Sequence, residues 1–371
     1  MSLKSKLLLA IIPLAIFSGT IVKSQDIQFS QFYGSPLYFN PAFAGSAHHW
    51  RGILHQRLQW PSLDAKYVTS LFSADGYFND HKSGLGLVFV RDMQGANIMA
   101  SSEATLQYSY ELHLTSKYTF RFGLQGSLYN RTLNYSHLTF PDQYNTQIGF
   151  TGNPTSDNLP MGSKTFADFG AGGVFYENNL FVGISAKHIN QPNQSFTGTV
   201  SKLPTNFDFI AGYKIPIIQK KKRMAYLEPE KDISITPTVH YKAQGKSDQL
   251  DLGVYGIYDQ LMLALWYRGL PVKHYETGLQ NNESMAILAG WSFNSFQIAY
   301  SYDFIVSKLR PARTGGAHEI TLTFIAHKHH KNNKPMKVMP CPTFYKKHST
   351  HQHHLQHHEE YEEHRHQQFH H

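Results

Sequence analysis

The chain has 371 residues, one cysteine and a formal charge of +8, with 41% hydrophobic and 14% aromatic residues and a mean hydropathy of −0.39. The single Cys341 excludes an intramolecular disulfide framework. The basic excess sits largely at Lys220, Lys221, Lys222 and Arg223 and along the tail from Lys328 to Lys347, where it reads as solvated surface; with no recognition motif beside it, nucleic acid is not a partner.

In chain order, the first element is a secretory signal over residues 1–24. Lys4 and Lys6 precede an apolar run from Leu7 to Phe17, and Val22 and Ser24 offer a small-residue cleavage site before Gln25. That run is too short for a membrane helix, which needs about 20 apolar residues. No cysteine follows it to carry a lipid anchor.

Residues 25–48 form an irregular, aromatic-rich segment. Pro36 and Pro41 each remove a ladder donor, Asn40-Pro41 is a turn or cap signal, and Gly45 permits a sharp bend. Such a segment suits packing inside a lumen, as a plug, or capping its periplasmic mouth.

From residue 49 to 326 the period is two. Ala104, Leu106, Tyr108, Tyr110 and Leu112 alternate with Glu103, Thr105, Gln107, Ser109 and Glu111; Phe120, Phe122 and Leu124 alternate with Arg121 and Gln125; Phe296, Ile298 and Tyr300 alternate with Gln297 and Ser301. Alternation of this length predicts strands that cross a bilayer, apolar face to lipid and polar face to a wet lumen. About 14 strands are predicted on this pattern, near 49–58, 66–74, 83–92, 99–114, 117–130, 164–177, 179–189, 205–216, 231–242, 249–258, 260–269, 285–293, 295–304 and 316–326. Links after even-numbered strands are tight, at Thr115-Ser116-Lys117, Asn178, Asp259 and Asn294-Ser295, whereas those at 131–162, 190–204, 270–282 and 305–315 are long. Short periplasmic turns and long outer loops are the outer-membrane pattern, so both ends of the strand region are periplasmic. The long basic link at 216–230 is the exception. The expected fold is all-β: a transmembrane antiparallel β-barrel with an N-terminal plug-like segment and a disordered C-terminal tail. A soluble sandwich would place the apolar faces in a core and leave tight turns at both ends.

The tail, residues 327–371, is dense in histidine and glutamate. His353, His354, His357 and His358 are weak candidates as metal ligands, since neutral imidazole binds zinc, nickel and copper. A low-complexity tract is more simply a disordered solvated tail, so no metal or cofactor is assigned.

The mature N-terminus reads Gln25-Asp26-Ile27-Gln28-Phe29-Ser30-Gln31, followed by Asn40-Pro41-Ala42-Phe43-Ala44-Gly45. This resembles the opening of the PorP/SprF family of type IX secretion system outer-membrane proteins of Bacteroidetes. Its motif maps onto Gln25, Asp26, Phe29, Ser30, Gln31, Asn40, Pro41, Ala42 and Gly45. Weaker matches follow in order at Gln59-Trp60, Gly84-Leu85-Gly86, Arg91-Asp92, Tyr300-Ser301-Tyr302-Asp303 and His318-Glu319. The resemblance spans roughly residues 25–326. It implies a barrel without enzymatic activity in the outer membrane of a Gram-negative bacterium. Its partners would be membrane lipid, secreted cargo such as gliding adhesins, and type IX secretion components. The histidine-rich ending is not part of that motif.

Neither a nucleophile-elbow pattern nor a glycine-rich phosphate loop occurs. Asp142 and Asp157, in the turn-rich 131–162 loop, read as turn caps rather than cation ligands. Two other functions share the fold: a transporter of hydrophobic or small solutes, with the N-terminal segment as a hatch, and an outer-membrane lipid hydrolase. The first predicts a continuous path through the lumen, the second a Ser-His pair near the membrane rim.

Overall fold

The computed structural model describes residues 26–95, 97–145, 147, 149–157, 159, 162–217, 233–245, 247–270, 284–306, 314–326 and 339. The signal segment, Gln25, the Lys220–Arg223 cluster and the four tail histidines lie outside these residues. Fourteen long strands form one closed antiparallel barrel. They are β1 Trp50–Gln59, β2 Tyr67–Phe78, β3 Ser83–Gln94, β4 Met99–His113, β5 Thr119–Leu133, β6 Ser163–Tyr176, β7 Leu180–Lys187, β8 Asn206–Tyr213, β9 Ile233–Gln244, β10 Ser247–Tyr258, β11 Leu261–Leu270, β12 Ser284–Phe293, β13 Phe296–Ile305 and β14 Ala317–Ala326. Each strand pairs with its neighbours in sequence, and β1 pairs with β14 to close the ring, from Trp50 opposite Ala326 to Gln59 opposite Ala317. Closure leaves no open edge to lipid.

The alternation sets which side chains face out. Leu106 and Leu124 are each 63% exposed on the outer surface, with Phe122, Phe296, Ile298 and Tyr300 beside them, whereas Arg121, Gln125 and Asp303 are buried inside. A one-residue slip would reverse every one of these positions. At the tight-turn end the outer surface carries a ring of aromatics. Trp50 meets Phe78 at 5.8 Å, Tyr118 stacks on Phe175 at 5.8 Å, and Phe296 bridges Phe293 and Phe324 at 5.9 and 5.1 Å. Aromatic girdles at this level, here including the amphipathic rings of Trp50 and Tyr118, mark a membrane–water boundary.

Besides the long link after β8 already noted, the expected parity of link lengths has two departures. Tight turns also occur between β3 and β4 and between β9 and β10, at the end opposite the aromatic ring. Both use a left-handed glycine, Gly95 and Gly245, each at φ 61°, which lets two strands reverse without a longer loop.

The lumen differs from the expected wet, polar interior. Residues 26–49 fill it. This segment holds only single turns, Phe32–Gly34, Pro36–Phe39 and Pro41–Phe43, because its prolines forbid a ladder and its aromatics pack on one another. Phe32 stacks on Phe39 at 4.1 Å, and Phe29 sits edge-on to Tyr38 at 5.0 Å. The inward face is also apolar on one side, where Tyr255, Ile257, Met262, Ala264, Trp266 and Leu288 of β10–β12 are buried.

Candidate functional site

An irregular segment inside a barrel carries backbone groups that no neighbouring strand satisfies, and each must find a partner. The inward side chains of the barrel supply them. Near Gln31 the backbone N–H groups of Ser30 and Gln31 donate to the two oxygens of Glu319, at 2.7 and 2.9 Å. Lower down, Gln107 donates to the Leu37 carbonyl at 2.8 Å and Ser185 to that of Phe39 at 2.6 Å. Arg121 donates to the Ala42 carbonyl at 3.0 Å and also to that of Ala44, which accepts from Ser109 at 2.7 Å as well. The N–H of Gly45 donates to Asp75 at 2.7 Å. The polar lumen wall is therefore a template for the plug's backbone.

The charges on that wall are neutralised in pairs. Glu319 is paired with Arg57, which also reaches Asp303 at 3.0 Å; Arg268 reaches Asp303 at 3.2 Å. Arg51 grips Asp75 at 2.8 and 2.9 Å, and Arg121 is paired with Glu111. A buried carboxylate is tolerable only with such a partner.

The plug approaches the barrel backbone most closely where the barrel has glycine. A Cβ on Gly84 would lie 2.1 Å from the Ala44 carbonyl oxygen, one on Gly123 2.2 Å from the Ala42 nitrogen, and one on Gly172 2.1 Å from Asn40 Oδ1. These three positions form the seat of the Asn40–Gly45 turn.

The motif residues singled out in the sequence lie along this interface. Asn40 caps the Pro41–Phe43 turn, its Oδ1 accepting from the Ala42 N–H at 2.9 Å while its Nδ2 donates to the carbonyls of Ile184 and Gly173 at 2.9 and 3.2 Å. Pro41 opens that turn, and Ala42 is buried against Gly123. Gly45 adopts φ 70°. The Ser30 hydroxyl donates to Asp303 at 2.6 Å, and Phe29 packs on the His55 ring at 4.5 Å. Sequence reading did not pick out Arg57, Asp75, Gly123, Gly172 or Arg268, and placed Glu111 only on the lumen face. The available signal was a charge or glycine at an inward position of an alternating strand.

At the end opposite the aromatic ring, Asp26 fastens the plug's outer end. It accepts from Asn206 at 2.8 Å and Gln244 at 3.0 Å and stands 3.0 Å from His188 Nε2, whose Nδ1 stands 3.0 Å from Asp168. Burial alone would lower the His188 pKa, but the charge of Asp26 and hydrogen bonds to Asp168 and Asp26 override it and raise the value to about 9. Burial would raise the Asp26 carboxyl, yet His188 holds it well below the usual carboxylate range. With the His188 pKa raised from 6.5 to about 9, its contribution is complete below pH 6.5 and is lost as pH rises through 9. That of Asp26 is present above its ordinary value of 3.8 and fades only in stronger acid. Hydrogen exchange at residues 26–31 should therefore be slow at pH 5–6 and accelerate between about pH 7 and 10 beyond the intrinsic base catalysis, an excess that His188→Gln abolishes.

A Ser-His-Glu arrangement does occur. Ser35 Oγ lies 2.7 Å from His55 Nδ1, and His55 Nε2 lies 3.3 Å from Glu319. It is in the middle of the lumen rather than at the rim, and Ser35 and His55 are 1% and 2% exposed. Glu319 is already engaged by Arg57 and two plug N–H groups. This geometry ties the plug at Ser35 to the wall. A cavity of about 40 Å³ lies between the plug at Tyr33 and Gly34 and the apolar wall at Tyr255 and Leu288, room for a water molecule or so rather than a solute path. Among the described residues no cluster of His, Cys, Asp and Glu is arranged to hold a metal ion.

The family model described as "Type IX secretion system membrane protein PorP/SprF" matches residues 21–324. No curated protein matches the chain. Similar solved structures include the Ralstonia pickettii toluene transporter TbuX, at 9% identity over 80% of this chain and 94% of that one, with a TM-score of 0.45. The P. putida toluene transporter TodX matches at 13% identity over 78% and 93%, TM-score 0.41. Omp33 of Acinetobacter baumannii matches at 7% identity over 75% and 98%, TM-score 0.39.

Proposed function

Because the chain belongs to the PorP/SprF family of type IX secretion system membrane proteins, we propose that this outer-membrane barrel works by docking proteins: it holds a secreted cargo protein at the cell surface and faces the export machinery on its periplasmic side. The observation that carries this reading is the filled lumen. Residues 26–49 are bonded to the wall along their length, so the surfaces free to act are the loops on a rigid ring, where recognition residues ordinarily sit.

The outer loops present suitable groups. Within 134–162, the short pair Tyr144–Asn145 and Gly149–Phe150 forms a small hairpin that exposes Tyr144 and Phe150. In 188–205, Ile189 and Val200 are exposed. Exposed aromatics on an ordered hairpin are the kind of anchor that dominates protein–protein binding. This role needs no catalytic group, and the residues of the opening motif serve it by holding the plug, and hence the ring, in one shape.

Deleting the gene should cause a specific secreted protein to be retained in the cell or released into the medium instead of held at the surface, with membrane lipid composition unchanged. The paired substitution Tyr144→Ser and Phe150→Ser should reproduce part of that loss with normal barrel levels, as read by fractionation and mass spectrometry of surface, medium and periplasm. Normal placement of every secreted protein, together with lost uptake of one solute, would overturn the proposal in favour of transport.

A further inference from the structure

One outer loop holds the plug's outer end by both of its feet. His188 follows the last residue of β7 and Asn206 is the first of β8, so the two flank the 188–205 loop. Both grip Asp26: His188 Nε2 stands 3.0 Å from its carboxylate, and the Asn206 amide donates to it at 2.8 Å. Gln244, at the end of β9, ties loop and plug together. Its amide nitrogen donates to Asp26 at 3.0 Å and to the Pro204 carbonyl at 3.4 Å, while its oxygen accepts from the Asp26 N–H at 2.9 Å. The loop is ordered between its feet. The Gln194 N–H donates to the Ser201 carbonyl at 3.0 Å, the Leu203 N–H to that of Pro192 at 2.9 Å, and Asn193 faces Lys202 in a β-bridge. The buried Gln194 side chain accepts from Arg131 of β5. A movement of this loop therefore reaches the plug directly.

A second observation is backbone strain. His188 and Gln191 lie in the left-handed region, at φ 57° and 44°, which costs free energy for residues other than glycine. Contacts hold them there. The His188 carbonyl accepts from the Gln191 N–H at 3.0 Å and from the Thr205 hydroxyl at 3.1 Å, and its ring is fixed between Asp26 and Asp168. Letting go of Asp26 removes part of what keeps the loop strained. The third observation is placement: the buried His188 that holds the plug is next to the exposed Ile189 that a partner would meet.

We propose that the 188–205 loop is the receptor face of the barrel and that docking on it unlatches the plug. An apolar segment of the secreted partner seats on Ile189 and Val200, binds the loop in its relaxed shape, and draws His188 and Asn206 off Asp26. Occupancy at the cell surface is thereby passed into the lumen. This deepens the docking function proposed above and rests on it. A partner can move the plug only by preferring one loop shape over the other, and the coupling between loop and plug must then run in both directions.

That reciprocity is measurable by hydrogen exchange and mass spectrometry on the full-length barrel in detergent. Asp26→Ala removes the plug's hold on both feet and should speed exchange across residues 189–203 about tenfold. Exchange should not change in the 140–157 loop, whose bonds run within itself, as from Gln143 to the Asn153 carbonyl at 2.7 Å. In the other direction, Asn193→Cys with Lys202→Cys, in a Cys341→Ser background, places a disulfide across the bridge. Oxidised, it should slow exchange at residues 26–31 about tenfold relative to the same protein reduced. Unchanged exchange in either experiment would overturn the coupling. Neither needs a partner, so both can fail while the docking function stands. In cells, Ile189→Ser with Val200→Ser should lose the surface holding of the protein that gene deletion displaces. Full holding would overturn this loop as the receptor face.

Discussion

Replacing Gly84 and Gly123 together by valine should open the lumen of this barrel. The two glycines flank Ser109 of β4 on the inner faces of β3 and β5 and admit the backbone of the Asn40–Gly45 turn. Even a methyl group at these sites would fall 2.1 Å from the Ala44 oxygen and 2.2 Å from the Ala42 nitrogen. The obstructing atoms are main chain, so no rotamer change relieves the clash, and the turn must leave. Overpacking of this kind costs roughly 1–3 kcal/mol per site and is close to additive only for distant sites, so the pair should shift the seated turn by at least about tenfold toward release. The outward faces of β3 and β5 are untouched, and the barrel should still insert and stay heat-modifiable on gels. Single-channel conductance in planar bilayers is the readout. The parent protein should be nearly closed and the variant open. A variant as closed as the parent would show that the lower turn of the plug does not seal the lumen.

That turn also marks the limit of what the sequence discloses. The strands were legible because alternation is local: Leu124 and Arg121 declare their faces by position alone, and turn residues such as Asn178, Asp259 and Asn294-Ser295 mark where strands end. The irregular nature of residues 25–48 was legible too, from Pro36, Pro41 and Gly45. What the chain does not announce locally is which inward residue meets which part of the plug. Glu319 and Ser30 are joined across the whole length of the barrel sequence, and Asp26 and His188 across about half of it, and no spacing rule connects them. The apolar wall of β10–β12 was hidden for a different reason. Tyr255, Met262 and Leu288 lie in strands that are apolar on both faces, and such a run has no period to indicate which side is lipid.

Arg121→Ala should be the most damaging single substitution in the lumen. The side chain is fully buried and closes four contacts at once: Nε donates to the Ala42 carbonyl at 3.0 Å, the two terminal nitrogens donate to Glu111 and to the Ala44 carbonyl, and the Ser109 hydroxyl accepts at 2.9 Å. The guanidinium also lies over the Tyr77 ring, 5.5 Å from its centre. Removing it strands a buried carboxylate and weakens the hold on two plug carbonyls, a loss of about 3–5 kcal/mol by comparison with other broken buried pairs. His48 and His113 lie 3.5 and 3.0 Å from Glu111, too few contacts to replace the bidentate reach of the guanidinium to both the carboxylate and the plug. The variants Arg121→Met and Glu111→Leu combined should recover part of the stability, because no charge is left unpaired, but not all of it, because the Ala42 carbonyl still lacks its donor. Urea unfolding of the purified barrel in detergent, followed by tryptophan fluorescence, gives the ranking: parent, then the double variant, then Arg121→Ala. If Arg121→Ala costs less than about 1 kcal/mol, the value of an ordinary exposed pair, then the plug is held by its aromatic packing and not by the charges beneath it.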